Sequence, residues 1–113
     1  MKDSSVYLKL IIDSISKIEK FTSGINKEDF LLDQKTQSAV LMQLTLIGEL
    51  SNKISEDIKS KIDLPWKDMI GFRNMAVHEY FKLELDRIWK AVQEDIPHLV
   101  KEISTYLTVN KLN

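Results

Sequence analysis

Val40-Leu41-Met42-Gln43-Leu44-Thr45-Leu46-Ile47-Gly48-Glu49-Leu50-Ser51 occupies the middle of the chain. Its apolar residues follow a helical period, and no alternation of two competes with it. With Asp33 as N-cap, the spacing predicts a long helix from about Gln34 to Ile54. Val40, Leu41, Leu44, Ile47 and Ile54 form one stripe, with the small Gly48 and Ser51 in register. Met42, Leu46 and Leu50 form a second. A helix that is apolar on more than one side has more than one surface to cover. The minimum consequence is a central place in a helical bundle, and contact with another subunit stays open.

The flanking segments carry the same period. On the N-terminal side, Ser4 or Ser5 is placed to cap a first helix. Tyr7, Leu10, Ile11, Ile15, Ile18 and Phe21 recur there at spacings of three and four, with Ser14 among them, and Gly24 is placed to end it. Asn26 opens a short helix carrying Phe30 and Leu31. On the C-terminal side, the charged run from Glu56 to Asp63 reads as a frayed end and a loop, anchored by Ile58 and Ile62. Pro65 is expected at the first position of a further helix. Trp66, Met69, Ile70 and Ala76 or Val77 are its expected buried face. Phe81-Lys82-Leu83 turns the chain. From about Glu84 a last helical region carries Leu85, Ile88, Trp89, Val92, Ile96, Leu99, Val100, Ile103 and Leu107, with a kink or break near Asp95 imposed by Pro97. The tail from Val109 is expected to be loose. The expected fold is all-α: a single domain, residues 1–113, forming an antiparallel up-and-down bundle of four main helices plus short ones.

Composition narrows the function classes. Three glycines and two prolines in 113 residues leave few tight turns for a sheet protein. There is no cysteine, which excludes a disulfide, a thiolate nucleophile and a cysteine zinc site. The apolar runs are too short to span a membrane, and Met1-Lys2-Asp3-Ser4-Ser5 lacks the apolar core of a secretion signal, so the cytoplasm is the expected location. Sixteen basic against 17 acidic residues give a formal charge of −1. Bulk electrostatics therefore do not mark a nucleic-acid binder, and any RNA contact must be local or arise on oligomerisation.

Chemistry concentrates in Arg73-Asn74-Met75-Ala76-Val77-His78-Glu79-Tyr80. Arginine offers a permanent cation and a planar fork of donors that suits phosphate. Histidine is the usual proton shuttle near neutral pH. Asparagine can orient a neighbour, and tyrosine offers a hydroxyl. Arginine plus histidine is a sufficient kit for cutting RNA through its own 2′-hydroxyl, which needs only proton transfer and charge stabilisation. On one helix Asn74 and His78 share a face, whereas Arg73 and His78 lie about 140° apart around the axis. Either the helix loosens near His78, or two copies meet across a two-fold axis and share a cleft. A surface ion pair is the commoner use of an Arg/His pair, and the residues alone leave both open. Glu49 is either a partner for Arg73 or an exposed carboxylate. His98 is assigned no role, Trp66 and Trp89 are read as core, and His78 with Glu79 and Glu84 makes a poor metal site.

The arginine, polar residue, three residues, histidine, one residue, tyrosine pattern at Arg73, Asn74, His78 and Tyr80 resembles that of the HEPN superfamily. More narrowly, the chain is similar to the HepT toxins of HepT/MntA toxin–antitoxin pairs. Asp33 to Val40, Ile47-Gly48-Glu49, Leu64 to Met69 and Ile88 to Pro97 carry the likeness in the same order, over nearly the whole chain. The resemblance implies an all-helical homodimer with the motif near its interface, acting as a metal-independent endoribonuclease without a cofactor. It implies that Arg73 holds the scissile phosphate, that His78 is general base or acid, and that Asn74 supports them. It also implies a partner, a minimal nucleotidyltransferase antitoxin, that transfers AMP to Tyr80. The alternatives are a non-catalytic HEPN nucleotide- or RNA-binding protein and a dimeric interaction module.

Overall fold

The computed structural model describes residues 3–112, and among them every regular element is helical. The elements are α1 (Ser4–Thr22), α2 (Lys27–Leu32), α3 (Gln34–Asn52), α4 (Glu56–Lys61), α5 (Trp66–His78), a 3₁₀ turn (Tyr80–Lys82), α6 (Leu85–Lys90), a π-helical turn (Ala91–Asp95) and α7 (Ile96–Val109). Four long segments, with α6 through α7 taken as one, make the expected all-α bundle. Met1 and Lys2 of the stretch read for a secretion signal, and Asn113 of the tail, lie outside the described residues.

Helix α1 is capped by Asp3, not by Ser4 or Ser5: the Asp3 carboxylate accepts from the Ser5 N–H at 2.8 Å. Ser4 acts elsewhere. Its Oγ accepts from the backbone N–H of Ser55 at 3.0 Å and ties the start of α1 to the end of α3. These two helices therefore run antiparallel. Leu8, Ile11, Ser14, Ile15 and Ile18 are the buried face of α1. Leu10 and Phe21, expected inside, are exposed, and Leu8 replaces them. Gly24 takes a positive φ of 78°, a conformation open to glycine without a Cβ clash, and redirects the chain into α2.

Asn26 and Asp29 form a reciprocal capping box at the start of α2. This fixes the fully buried Phe30, whose ring packs against Trp89 of α6 at 5.2 Å between centroids. Asp33 caps α3 as expected. The Thr36 hydroxyl and then its backbone N–H hold the Asp33 carboxyl below the usual carboxylate range. Val40, Leu44, Ile47, Gly48 and Ser51 face inward. Of the second strip, Leu50 packs on the core, but Met42 and Leu46 are exposed.

Residues 56–61 are helical, not a loop. Ser55 caps the segment by accepting from the Ile58 N–H. Glu56 and Asp57 lie in its first turn and Lys59 and Lys61 in its last, the order that complements a helix dipole. Its C-terminal carbonyls, which have no partner within a helix, are met by the Trp66 indole: Nε1 donates to the oxygens of Lys59 and Ile62 at 3.2 and 3.0 Å. Pro65 stands at the N-cap, one place before the expected position, and α5 begins at Trp66.

The C-terminal region matches the expected stripe. The break near Asp95 takes the form of one wide turn, with the Ile96 N–H bonded to the Ala91 oxygen five residues back. Pro97 has no N–H to donate, and its ring would crowd the Gln93 carbonyl in a regular α-helix. The tail is not loose. Lys111 has φ 56°, the Lys111 N–H donates to Thr108 and the Leu112 N–H to Leu107 at 2.8 Å. This double bond pattern is a Schellman ending, and it brings Leu112 onto the core.

Candidate functional site

Helix α5 lies along α3, and one glycine sets how close it comes. A Cβ on Gly48 would stand 2.5 Å from the Arg73 Cβ and 2.6 Å from the Met69 carbonyl oxygen. Only a glycine admits the backbone of α5 at this distance. The contact seats the stem of Arg73 on α3, one residue from Glu49. The Glu49 carboxylate meets Arg73 Nε at 2.8 Å, and Arg73 Nη1 donates to Asn74 Oδ1 at 3.1 Å. Both members of the ion pair are partly exposed, at 31% for Arg73 and 40% for Glu49. Of the two readings of Glu49, the structure shows the partner.

The helix does not loosen before His78. Regular α-helix continues through that residue, and the Glu79 N–H closes the last turn on the Met75 oxygen at 2.7 Å. Arg73 and His78 therefore diverge by about 140° and stand about 7.5 Å apart along the axis. The His78 side chain is exposed and makes no hydrogen bond or ion pair with any described residue. Asn74 lies one turn from it, but its carboxamide is engaged by Arg73. A single chain thus brings Arg73, Asn74 and Glu49 together and leaves His78 out.

The chain turns at Tyr80–Lys82, with Lys82 N–H donating to Glu79 and Leu83 N–H to Tyr80. Tyr80 is 68% exposed. Glu79 is ion-paired with Lys82. Val77, offered as an alternative for the buried face, is half exposed, and Phe72 packs on the core in its place. His98 is an exposed residue in the first turn of α7.

Next to this contact, an open groove of about 750 Å³ lies between α3, α5, α6 and α7. Leu44 and Ile47 of α3, Phe72 and Met75 of α5, and Ile88 and Leu99 line it, with Lys82 and Arg87 at its edge. Sequence reasoning missed this groove, and it did not see that Gly48 controls the approach of Arg73. A glycine in the apolar stripe of a long helix was the available signal.

Residues 11–106 match the family model described as Ribonuclease HepT-like. The chain belongs to the HepT-like ribonuclease family. It is 45% identical over 94 residues to "Probable ribonuclease HepT" of Thermococcus cleftensis, covering 82% of this chain and 86% of that protein. It is 35% identical over 103 residues to a Methanocaldococcus jannaschii protein named as a putative RNase, covering 90% of this chain and 94% of the relative. A similarly named protein of Caldanaerobacter subterraneus is 30% identical over 112 residues, 98% of this chain and the whole of that one. No solved structure matches the chain. The family match agrees with the HEPN-type resemblance carried by Arg73 to Tyr80 and with the all-helical fold. Among the described residues no helix is long and apolar enough to cross a membrane.

Proposed function

We propose that this HepT-like chain is a toxin endoribonuclease that acts as a homodimer, with Arg73 of one subunit and His78 of the other on the same phosphate. The observation that carries this reading is the regularity of α5 through His78. It holds the two groups apart within a chain, so a complete site needs a second copy. Two further features support it. Met42 and Leu46 on α3 and Val77 on α5 are exposed apolar side chains. They fall one and two turns from the Glu49–Arg73 pair, on the helices that the pair joins. An apolar strip bordering a functional arginine is suited to burial against a copy of itself.

The chemistry follows from the groups. The 2′-oxygen of the substrate attacks phosphorus and the 5′-oxygen leaves. A P–O2′ bond forms as the P–O5′ bond breaks, giving a cyclic phosphate and a 5′-hydroxyl. His78 takes the proton from the 2′-hydroxyl or gives one to the 5′-oxygen, water serves the other transfer, and Arg73 neutralises the charge gathering on the phosphoryl oxygens. No step calls for a metal or a cofactor. Asn74 holds one arm of the guanidinium. Tyr80 is the proposed site of AMP transfer by a minimal nucleotidyltransferase antitoxin. Its exposure allows this, and a phosphodiester two residues from His78 would add a negative charge and an adenosine at the site. The single domain of residues 1–113 is proposed to work in the cytoplasm.

Mixed dimers test the reading. Arg73→Ala and His78→Ala proteins are each expected to be inactive on RNA, with or without EDTA. After unfolding and refolding together, half of the dimers are mixed, and each mixed dimer carries one intact site. About a quarter of the wild-type activity should return. No recovery, with mixed dimers demonstrated by mass, would rule out the shared site. For Tyr80, co-expression with a nucleotidyltransferase should add the mass of AMP to wild type and not to Tyr80→Phe.

A further inference from the structure

We infer that Glu49 is a positioning residue for Arg73, fixing which edge of the guanidinium faces the phosphate. The inference rests on the ribonuclease reading above. Glu49 meets Nε, and Nη1 donates to Asn74, so the fork is held at two of its three nitrogens, from two different edges of its plane. Nη2 has no partner among the described residues, and Nη1 has a second hydrogen to give. They form the end-on edge of the fork, which is suited to two parallel bonds to phosphoryl oxygens. The stem cannot swing toward α3, because the Arg73 Cβ already touches the space where a Gly48 Cβ would be.

A carboxylate beside a phosphate-binding arginine has two conceivable effects, and they differ in sign. If it competed with the phosphate, removing its charge would improve binding and cleavage. The geometry points to the other effect. The contact is on Nε, away from the end of the fork, so phosphate and Glu49 do not claim the same hydrogens. A flexible arginine that must be ordered at each turnover loses rate, and orientation alone can be worth up to about a hundredfold. The pair is partly solvent-exposed, and exposed ion pairs contribute little to stability, so variants at Glu49 are expected to fold.

The test compares Glu49→Ala and Glu49→Gln with wild type in RNA cleavage, and in binding of an RNA made uncleavable by 2′-O-methyl groups. Glu49→Ala should lower kcat about tenfold or more, with KM changed about threefold or less. Glu49→Gln keeps an acceptor for Nε and should recover most of the loss. In an Arg73→Lys background, which has no Nε fork to orient, Glu49→Ala should cost nothing further. Faster cleavage or tighter binding by Glu49→Gln would establish competition and overturn positioning. An equal loss from Glu49→Ala in wild-type and Arg73→Lys backgrounds would also overturn it, by showing that Glu49 does not act through Arg73. If wild type binds the RNA without cutting it, the ribonuclease reading falls. The binding arm then decides for positioning if Glu49→Ala weakens binding and Glu49→Gln does not, and against it otherwise. If wild type neither binds nor cuts, both fail.

Discussion

The two sides of α5 differ in kind. One side is pressed onto α3 through Gly48, with Met69 and Arg73 in direct approach and Glu49 closing the contact. The side next to it faces an open groove toward α6 and α7. The proposed catalytic pair straddles this difference. Arg73 is on the packed side. His78 is exposed, about 140° around the axis from Arg73. A group that must hold a phosphate in one orientation gains from being packed and paired. A group that must exchange protons with substrate and water gains from exposure. Placing the two on opposite flanks of a straight helix satisfies both needs, but it divides the site and makes a second subunit necessary in the proposed mechanism.

The largest expected effect tests the division itself. His78→Ala should lower RNA cleavage roughly a hundredfold to ten-thousandfold while leaving helicity and the unfolding midpoint at wild-type values, since the exposed His78 side chain makes no hydrogen bond or ion pair with any described residue. A matching loss of stability in urea unfolding would mean that the open side carries more of the fold than its contacts show. On the packed end of the bundle, Phe30→Ala removes a fully buried ring and its contact with Trp89, and should cost about 3–5 kcal/mol in the same experiment. Gly48→Ala sharpens the contrast. The added methyl has no room, so it should cost about 1–3 kcal/mol and displace Arg73, reducing cleavage at the same time. Gly71→Ala should act in the opposite direction. A Cβ there meets nothing within 4 Å, so stability should rise by about 0.5–1 kcal/mol through helix propensity alone. A gain in stability joined to a loss of dimer in sedimentation would show that the groove side is covered by a partner.

Much of the bundle was legible because helical periodicity is local. The stripe from Leu85 to Leu107 is buried or half-buried nearly as read, and Asp33 caps α3 where expected. Errors fell where a helix needs something beyond its stripe. The segment 56–61 has few apolar residues, and its helix depends on the cap at Ser55, on the order of its charges and on Trp66 reaching back to its carbonyls. The tail is held by a left-handed residue at Lys111, which no side-chain pattern announces. Leu10 and Phe21 fit the α1 stripe by spacing, yet the neighbours that would cover them are absent, and Leu8 is buried in their place.

By itself the sequence determined the long helices, the cap of α3 at Asp33 and the concentration of Arg73, Asn74, His78 and Tyr80 in one stretch, because period, capping and motif spacing involve residues a few positions apart. Only the tertiary structure decided that Gly48 admits α5, that Glu49 meets Arg73, and that the His78 side chain is exposed across the helix from Arg73. Those outcomes depend on how closely two helices approach and at what rotation, which is set by the fit of whole surfaces and is written in no single segment.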